Sequence, residues 1–286
     1  MLGGSGWFGR TALNMIGVQD ADVLVVGSYA RNIEVNGKAF YVRPWDATDI
    51  KRFQPDLVLD FAFLTRDLIR TLGEQEFARQ NLVLSERLLS LNELGSVRTL
   101  FSVSSGAATL QAFESGANST DLYGEQKLAN EGALREIALS GATNVIIARA
   151  WSVTGGHVLK PRNYAFSDFI LSGLEDGQIV IRAPHPVTRR YCAVEDFLAV
   201  ALASGLDKQI TDLDSGGPLV ELEELARVIA EKLGNPSVKV SFPDRSEVLP
   251  DNYHSSGTDW ESAASNLGFE PLSLSGQVVN VRDSLR

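Results

Sequence analysis

The sequence predicts an α/β protein in which a doubly wound parallel sheet is followed by a smaller C-terminal α+β domain. Two observations support this prediction. Short apolar runs alternate with helical stretches through the first half of the chain, as in a parallel sheet covered by helices on both faces. Beyond Trp151 this alternation loosens, and Gly155, Gly156 and several prolines indicate a separate second domain.

Each predicted element rests on its local pattern. Apolar and β-branched runs predict strands at 22–26, 39–42, 57–61, 99–103 and 144–148. Helices are predicted at 10–16, 76–94 and 122–139, and either Ser119 or Asp121 is suited to cap the third of them. Later in the chain we predict helices at 166–174, 194–204 and 221–233 and strands at 179–182, 209–213 and 237–241. The first domain is therefore predicted to span 1–150 and to regain 189–213, and the second to comprise 151–188 and 214–286.

Composition and charge exclude several classes of function. A net charge of −10 over 286 residues disfavours nucleic acid and anionic membranes as partners. The single cysteine, Cys192, excludes an internal disulfide and suits a reducing cytoplasm, which is the location we expect. No apolar run approaches the ~20 residues that span a bilayer, and we see no signal peptide. The three histidines lack metal-ligand spacing, so we predict no metal site.

The first glycines of the chain indicate a phosphate-binding turn. Gly3, Gly6 and Gly9 recur at three-residue steps, which suits a tight strand-to-helix turn where backbone N–H groups approach a pyrophosphate. Such a turn normally follows a buried strand of about five residues, but only Met1 and Leu2 precede Gly3 here. We expect either that the assigned start omits N-terminal residues or that the central strand is shortened.

The choice of cofactor depends on the residues that follow the strand predicted at 22–26. An NAD site usually has an acidic residue there, which binds the ribose 2′-hydroxyl. Residues 27–31 contain no carboxylate, whereas Ser28 and Arg31 supply a hydroxyl and a guanidinium suited to a 2′-phosphate. We therefore favour NADP, with NAD as the alternative.

Tyr123 and Lys127 suggest the chemistry, because their i, i+4 spacing places a phenol and an ammonium on one helical face. A cation ~4 Å from the phenol, at an effective dielectric of ~20, is worth about 4 kcal/mol, or roughly three pKa units. Such a shift would bring a phenol into the range of general acid–base catalysis. Ser105 follows the strand predicted at 99–103, where its hydroxyl can bind a substrate oxygen or, alternatively, its own turn.

In this order, the glycine turn, Ser105 and the Tyr123–Lys127 pair resemble the short-chain dehydrogenase/reductase family. The rest of the chain resembles its extended branch of sugar-nucleotide epimerases, dehydratases and ketoreductases. The resemblance implies a Rossmann-type fold and a catalytic triad of Ser105, Tyr123 and Lys127. It also implies an aspartate near the adenine at Asp46, which could equally be a helix cap, a small residue beside the cofactor at Ala62, and a structural asparagine at Asn81.

The complete set of predicted site residues combines the residue patterns with this resemblance. Substrate-binding positions are Ser105, Ser152, where the family has asparagine, and Arg189, where the family's arginine meets a pyrophosphate. The predicted cofactor-binding residues are Gly3, Gly6, Trp7, Phe8, Gly9, Arg10, Ser28, Arg31, Asp46, Ala62, Asn81, Tyr123 and Lys127.

The residues after Ser105 separate the reactions of the family. Its dehydratases carry an Asp-Glu pair there, because removing water needs an extra acid and base. This chain has Gly106 and Ala107, whose side chains cannot transfer a proton, and this argues against dehydration. Our first hypothesis is an NADP(H)-dependent ketoreductase acting on a nucleotide-linked keto-sugar or a similar small carbonyl substrate. The alternatives are an NAD-dependent sugar-nucleotide epimerase and a catalytically inactive dinucleotide-binding protein. Family members often pair through two helices, so a homodimer is a further expectation.

Overall fold

The computed structural model describes residues 1–17, 21–113, 121–234, 237–241 and 250–286. They form two compact units, one of Met1–Ala150 with Ala201–Leu213 and the other of Trp151–Val200 with Asp214–Arg286. The segment that returns to the first unit is thus shorter than the 189–213 predicted. Ser119, one of the two candidate helix caps, lies outside the described residues.

The strands are β1 (Val25–Gly27), β2 (Arg31–Val35), β3 (Lys38–Pro44), β4 (Leu57–Asp60), β5 (Thr99–Ser105), β6 (Asn144–Ala150), β7 (Ser152–Thr154), β8 (Gln178–Val180), β9 (Val187–Ala193), β10 (Ile210–Asp214), β11 (Leu219–Glu221), β12 (Lys239–Ser241) and β13 (Asp251–Asn252). The α-helices are α1 (Trp7–Ile16), α2 (Ala47–Phe53), α3 (Ile69–Leu72), α4 (Glu74–Ser90), α5 (Gly106–Phe113), α6 (Leu122–Leu139), α7 (Ala165–Glu175), α8 (Val194–Gly205), α9 (Leu222–Leu233), α10 (Thr258–Asn266) and α11 (Leu274–Ser284).

The first unit contains the predicted parallel sheet, whose two halves meet at Leu2. One half has the order β1-β3-β2 and the other the order β10-β6-β5-β4. Leu2 forms parallel bridges to Val26 of β1 and to Asp60 of β4. Its N–H donates to Leu59 O at 2.8 Å and its carbonyl accepts from Phe61 N–H at 3.0 Å. Leu2 therefore joins the two halves and satisfies the neighbouring backbone groups.

One edge of this sheet differs from the prediction. β2 pairs with β3 in antiparallel fashion, from Arg31 opposite Val42 to Val35 opposite Lys38. The intervening Asn36 and Gly37 have φ values of 45° and 76°, which a two-residue hairpin turn requires. Arg31 accordingly lies on a strand, to which the sequence analysis assigned no element.

Apolar side chains fill both faces of the sheet, as the composition of its strands predicts. On one face Leu2, Val26, Val58, Leu100 and other buried residues pack with side chains from α4 and α6. On the other, Leu13 of α1 packs against the hairpin strands. This packing fixes α1, α4 and α6 around the carboxyl ends of β1, β4 and β5, where ligands bind in open α/β sheets.

The second unit has its own core and its own small sheets. β9 pairs with β11, β13 and β7, and β8 pairs with β12. Helices α7, α9 and α11 enclose the core, in which Phe166, Ile170, Leu225, Ile229 and Val278 are buried. None of the helices in the described residues combines the length and apolar composition that crossing a bilayer requires.

Candidate active site

The glycine turn packs so closely against neighbouring backbone that Gly3 and Gly9 have no room for a side chain. Gly3 has φ +71°, and a Cβ there would lie 2.7 Å from the carbonyl carbon of Phe61. A Cβ at Gly9 would lie 2.4 Å from Gly4 Cα. Real Cβ atoms do not approach so closely, so each position requires glycine. Gly6 forms the N-cap of α1 and supplies no side-chain cap, which leaves this helix terminus suited to an anion.

The carboxyl edge of the sheet bears a cavity of about 210 Å³. Gly3, Gly6, Ser28 and Ala62 line it, as the sequence analysis expects of cofactor-binding residues. The remaining lining residues are Leu2, Ser5, Val26, Gly27, Trp45, Phe61, Phe63, Leu64, Leu84 and Arg87. Ser105, Tyr123 and Lys127 are not among them. The glycine turn leaves the N-terminus of α1 open to an anion, and the cavity extends from it toward Phe63 and Leu64.

At one rim of the cavity, Arg31 lies beside Ser5. Its guanidinium donates to Ser5 Oγ and to the Tyr29 hydroxyl, and it stacks 4.4 Å above the centroid of the Tyr29 ring. Ser28, three residues before Arg31, is exposed and lines the cavity. The rim thus offers a guanidinium and a hydroxyl, the groups from which a 2′-phosphate site was predicted.

Two other predicted cofactor residues have structural partners. The Arg10 guanidinium donates to the carbonyls of Ser5 and Glu34 at 3.1 and 2.9 Å, so it fastens the glycine turn to β2. Asp46 is the N-cap of α2 and accepts from Thr48 N–H at 2.7 Å and Asp49 N–H at 3.1 Å. These backbone hydrogen bonds lower the pKa of Asp46. The helix-cap interpretation of Asp46 therefore describes its contacts.

Trp7 and Phe8 begin helix α1, and their rings help to fix its position. The Phe8 ring stacks on Phe61, with centroids 6.3 Å apart, and the Trp7 ring lies 6.1 Å from Phe8. Phe61 belongs to the loop that follows β4 and also lines the cavity. Phe8 therefore supports the cavity wall by packing against Phe61.

Asn81 connects the cavity wall to the helix that carries the candidate catalytic pair. It is 1% exposed in the middle of α4. Its Oδ1 accepts from Leu64 N–H at 2.8 Å, and its Nδ2 donates to Gln126 Oε1 at 3.1 Å. A buried amide with both groups paired fixes two elements at once. This contact agrees with the supporting position that the family resemblance implies for Asn81.

Tyr123 and Lys127 both contact the ring of Phe63. The Tyr123 ring meets Phe63 edge-on, with centroids 5.8 Å apart, and Lys127 Nζ lies 3.7 Å from the Phe63 centroid. Lys127 is 4% exposed, and its ammonium donates to Val103 O at 2.8 Å. Arg66 lies over the Tyr123 ring at 5.5 Å and pairs with Asp121. Asp121 is the N-cap residue that precedes α6, but its side chain makes no capping hydrogen bond there.

Burial controls the charge of Lys127. Desolvation lowers the pKa of its ammonium to about 8, although the carboxylates of Asp60 and Glu131 act in the opposite direction. Asp60 is also buried, and this burial raises the pKa of its carboxyl. Asp60 accepts from Ser102 Oγ at 3.0 Å and from Ala62 N–H at 3.1 Å. The lysine therefore changes charge near pH 8, far below the usual range of a lysine.

A buried carboxylate one turn beyond Lys127 anchors α6 to the sheet. Glu131 accepts from Arg149 Nε and Nη2 at 2.8 and 2.7 Å and from Ser104 Oγ at 2.5 Å. Burial alone would raise the pKa of Glu131, but these hydrogen bonds outweigh it and lower the pKa. Arg149 is also paired with Asp212 at 3.1 Å. This two-pronged contact fixes the helix that carries Tyr123 and Lys127.

Ser105 ends β5 and is 7% exposed. Its Oγ accepts from Ala107 N–H at 3.2 Å, so the hydroxyl closes its own turn, as the alternative interpretation of this residue anticipated. The hydroxyl can still donate its proton, because an accepting oxygen retains its O–H. The contact leaves the substrate role of Ser105 a prediction.

The sequence matches the NAD dependent epimerase/dehydratase family over residues 1–208, which is more than half of the chain. The chain belongs to this family. The resemblance to extended short-chain dehydrogenases/reductases and the predicted α/β Rossmann-type fold are therefore confirmed. Comparison with curated proteins gives no match.

Solved structures of epimerases and related proteins have a similar fold. One is the UDP-N-acetylglucosamine 4-epimerase from Methanobrevibacter ruminantium M1 in complex with UDP-N-acetylmuramic acid; the TM-score is 0.76 at 14% identity, covering 99% of this chain and 96% of that chain. Another is MoeE5 in complex with UDP-glucuronic acid and NAD, with a TM-score of 0.72 at 20% identity and coverage of 100% and 97%. The UDP-glucose 4-epimerase from Brucella ovis in complex with NAD has a TM-score of 0.70 at 18% identity, with coverage of 99% and 96%.

Two of the predicted substrate residues, Ser152 and Arg189, lie in the second unit of this member of the epimerase/dehydratase family. Ser152 lies on β7, opposite Tyr191 of β9. Arg189 of β9 donates to Asp251 Oδ1 and Oδ2 at 3.1 and 2.6 Å, and this bond lowers the pKa of Asp251. The Arg189 guanidinium is thus already bound to a carboxylate, and a phosphate would have to share or replace that partner.

Several residues that shape the site were missed by the sequence analysis, and two of them left a signal. Asp60 is a carboxylate within an otherwise apolar strand, a pattern that indicates a paired or functional group. Glu131 follows Lys127 at i+4 on the same helical face. Phe63 and Arg66 gave no such signal, because only the fold brings them against Tyr123 and Lys127. In the described part of the chain, no group of His, Cys, Asp and Glu side chains could hold a metal ion.

Proposed function

We propose that this protein is an NAD-dependent sugar-nucleotide epimerase, the hypothesis that the sequence analysis placed second. Membership of the epimerase/dehydratase family and the similarity of the fold to UDP-sugar epimerases support it better than net keto reduction. The observation that carries the proposal is the arrangement at the carboxyl edge of the sheet. There the glycine turn and Phe63 line the same cavity, and the ring of Phe63 in turn contacts Tyr123 and Lys127.

In this proposal the first unit binds the dinucleotide. Gly3, Gly6 and Gly9 admit the pyrophosphate to the terminus of α1, while Ala62 lets the cofactor approach the end of β4. The bound nicotinamide supplies a hydride acceptor and donor. Lys127 binds the nicotinamide ribose, and its positive charge stabilises the phenolate form of Tyr123.

Tyr123 is the proposed proton-transfer residue. Its phenolic oxygen takes a proton from a sugar hydroxyl and later returns it, while Ser105 donates a hydrogen bond to the same sugar oxygen. The charge on that oxygen is then neutralised in both directions of the reaction. Arg189 and Ser152 are proposed to bind the nucleotide-sugar, and UDP-sugars are the first candidates because the similar structures contain them.

A second candidate function is NADP(H)-dependent reduction of a nucleotide-linked keto-sugar. It is favoured by the rim of the cavity, where Arg31 and Ser28 are present and residues 27–31 contain no carboxylate. A 2′-phosphate site suits a cofactor that exchanges with a reduced pool. Titration of the protein with NAD and with NADP separates the two hypotheses, since tight NAD binding with negligible NADP binding would exclude the reductase.

The test of the main proposal is interconversion of UDP-sugar epimers. The protein is incubated with UDP-glucose, UDP-N-acetylglucosamine and UDP-glucuronic acid in turn, with NAD or NADP, and the products are separated by chromatography. We expect one substrate to yield its C4 epimer without net change in cofactor absorbance at 340 nm, and Tyr123→Phe to lose this activity while keeping cofactor affinity. Epimerisation by Tyr123→Phe at the wild-type rate would refute the assigned proton transfer. Cofactor binding without turnover of any nucleotide-sugar or keto-sugar would favour the inactive dinucleotide-binding protein.

A cytoplasmic location and a homodimer remain predictions from the sequence.

A further inference from the structure

Phe63 has an unusual position among the residues of the cavity. It follows Ala62 after β4, lines the cavity and is half-buried. One face of its ring lies 3.7 Å from the ammonium of Lys127, and its ring also contacts the Tyr123 ring. Of the residues that line the cavity, Phe63 therefore contacts both members of the candidate catalytic pair.

The Phe63 ring covers the Lys127 ammonium, which the nicotinamide ribose has to reach in the proposed function. Lys127 is 4% exposed, does not line the cavity, and donates to Val103 O. The cavity itself has a volume of about 210 Å³, below the ~300–1,000 Å³ typical of ligand sites. A complete dinucleotide therefore needs additional space, and the space nearest to Lys127 contains the Phe63 ring.

We infer that the Phe63 ring is a movable cover over the Lys127 ammonium, and that the nicotinamide end of the dinucleotide displaces it on binding. The inference rests on the proposed function, which assigns the nicotinamide ribose to Lys127. The ring face and the ribose hydroxyls are alternative partners for one cation, so they compete for it. Cofactor affinity is then reduced by the fraction of molecules in which the ring is closed. Phe63 is a positioning residue in this scheme, because it acts through Lys127.

The test compares Phe63→Ala with Leu84→Ala, a control that enlarges the same cavity but keeps the Phe63 ring over Lys127. The first measurement is reductive methylation of the cofactor-free full-length protein with formaldehyde and a borohydride, followed by peptide mass spectrometry. In the wild type, we expect Lys127 to react more slowly than the exposed Lys51. Phe63→Ala should remove this protection, and Leu84→Ala should retain it.

The second measurement is the dissociation constant for NADH and for NADPH, followed by cofactor fluorescence. Removing the competing ring should tighten binding of the preferred cofactor by about tenfold, and by clearly more than Leu84→Ala, which enlarges the cavity but keeps the ring. Phe63→Leu keeps most of the apolar volume but lacks the ring face, so it should show the same direction of change and replaces the alanine variant if that variant does not fold.

The outcomes separate the inference from the proposed function. If wild type and variants bind neither cofactor, the proposed function is refuted and the inference with it. If all bind with equal affinity, or if methylation of Lys127 is unaffected by the loss of the ring, the function stands and the inference is refuted. Equal tightening by Leu84→Ala would also refute it, since cavity space and not the cover would then explain the effect.

Discussion

Replacing Lys127 by methionine should change the pH dependence of stability in a defined direction. Burial lowers the pKa of this lysine from 10.5 to about 8 in the folded protein. Between these two values the unfolded chain binds more protons than the folded one, so the stability of the wild type rises with pH in this window. Lys127→Met removes the titrating group and with it this rise.

The expected magnitude follows from the two pKa values. The difference between 10.5 and about 8 is about 2.5 units, and at about 1.36 kcal/mol per unit it corresponds to about 3 kcal/mol. The free energy of unfolding of the wild type, minus that of Lys127→Met, should therefore increase by about 3 kcal/mol from pH 7.5 to pH 10.5. Near neutral pH the buried ammonium carries its full desolvation cost, offset in part by its bond to Val103 O.

Urea unfolding, measured at half-unit steps of pH for both proteins, provides the assay. Lys127→Arg is a matched control, because a guanidinium stays charged throughout this range. The wild type should gain stability relative to both variants, while the difference between the two variants stays constant. If the free energy of unfolding of the wild type minus that of Lys127→Met stays constant or falls with pH, the lysine is not desolvated in the folded protein.

Three further predictions concern the same unit. If Lys127 stabilises the Tyr123 phenolate as proposed, turnover should fall above about pH 8, where the lysine loses its charge; a pH profile that is level to pH 10 would contradict this. Gly9→Ala should abolish cofactor binding and destabilise the protein by more than about 2 kcal/mol, because its Cβ would lie 2.4 Å from backbone. Gly132→Ala, on an open face of α6, should instead stabilise it by about 0.5–1 kcal/mol, and thermal unfolding of both variants checks the contrast. Asn81→Asp keeps the oxygen that accepts from Leu64 N–H but replaces the Nδ2 donor by an oxygen that faces Gln126 Oε1. The free energy of unfolding in urea should fall by about 1–3 kcal/mol. An unchanged free energy of unfolding would show that Asn81 does not hold α4 and α6 together through this hydrogen bond.

The hairpin edge of the sheet illustrates a signal that was present but not used. Asn36 and Gly37 form the two-residue sequence that most strongly favours a hairpin turn. The sequence analysis weighed the alternation of strands and helices instead and left β2 unassigned. Local turn chemistry decides strand direction at this edge, because an antiparallel pair needs no crossover helix.

The central strand illustrates a limit of pattern reading. Two residues are too few for a strand to be recognised from sequence, yet Leu2 pairs with strands on both sides. The unpaired backbone groups of β1 and β4 favour this position, and they become adjacent only after the sheet has formed.

The sequence by itself determined the fold class, the family, the glycine cradle and the Tyr123–Lys127 spacing, because each is encoded by neighbouring residues and by periodicity. Only the tertiary structure decided the surroundings of these groups. Phe63 covers the lysine, Asp60 and Glu131 influence its pKa, and Asn81 connects two elements, all across long separations in the chain. Burial and charge at a site depend on which distant segments pack together, and that packing sets the chemistry that a given pair of residues can perform.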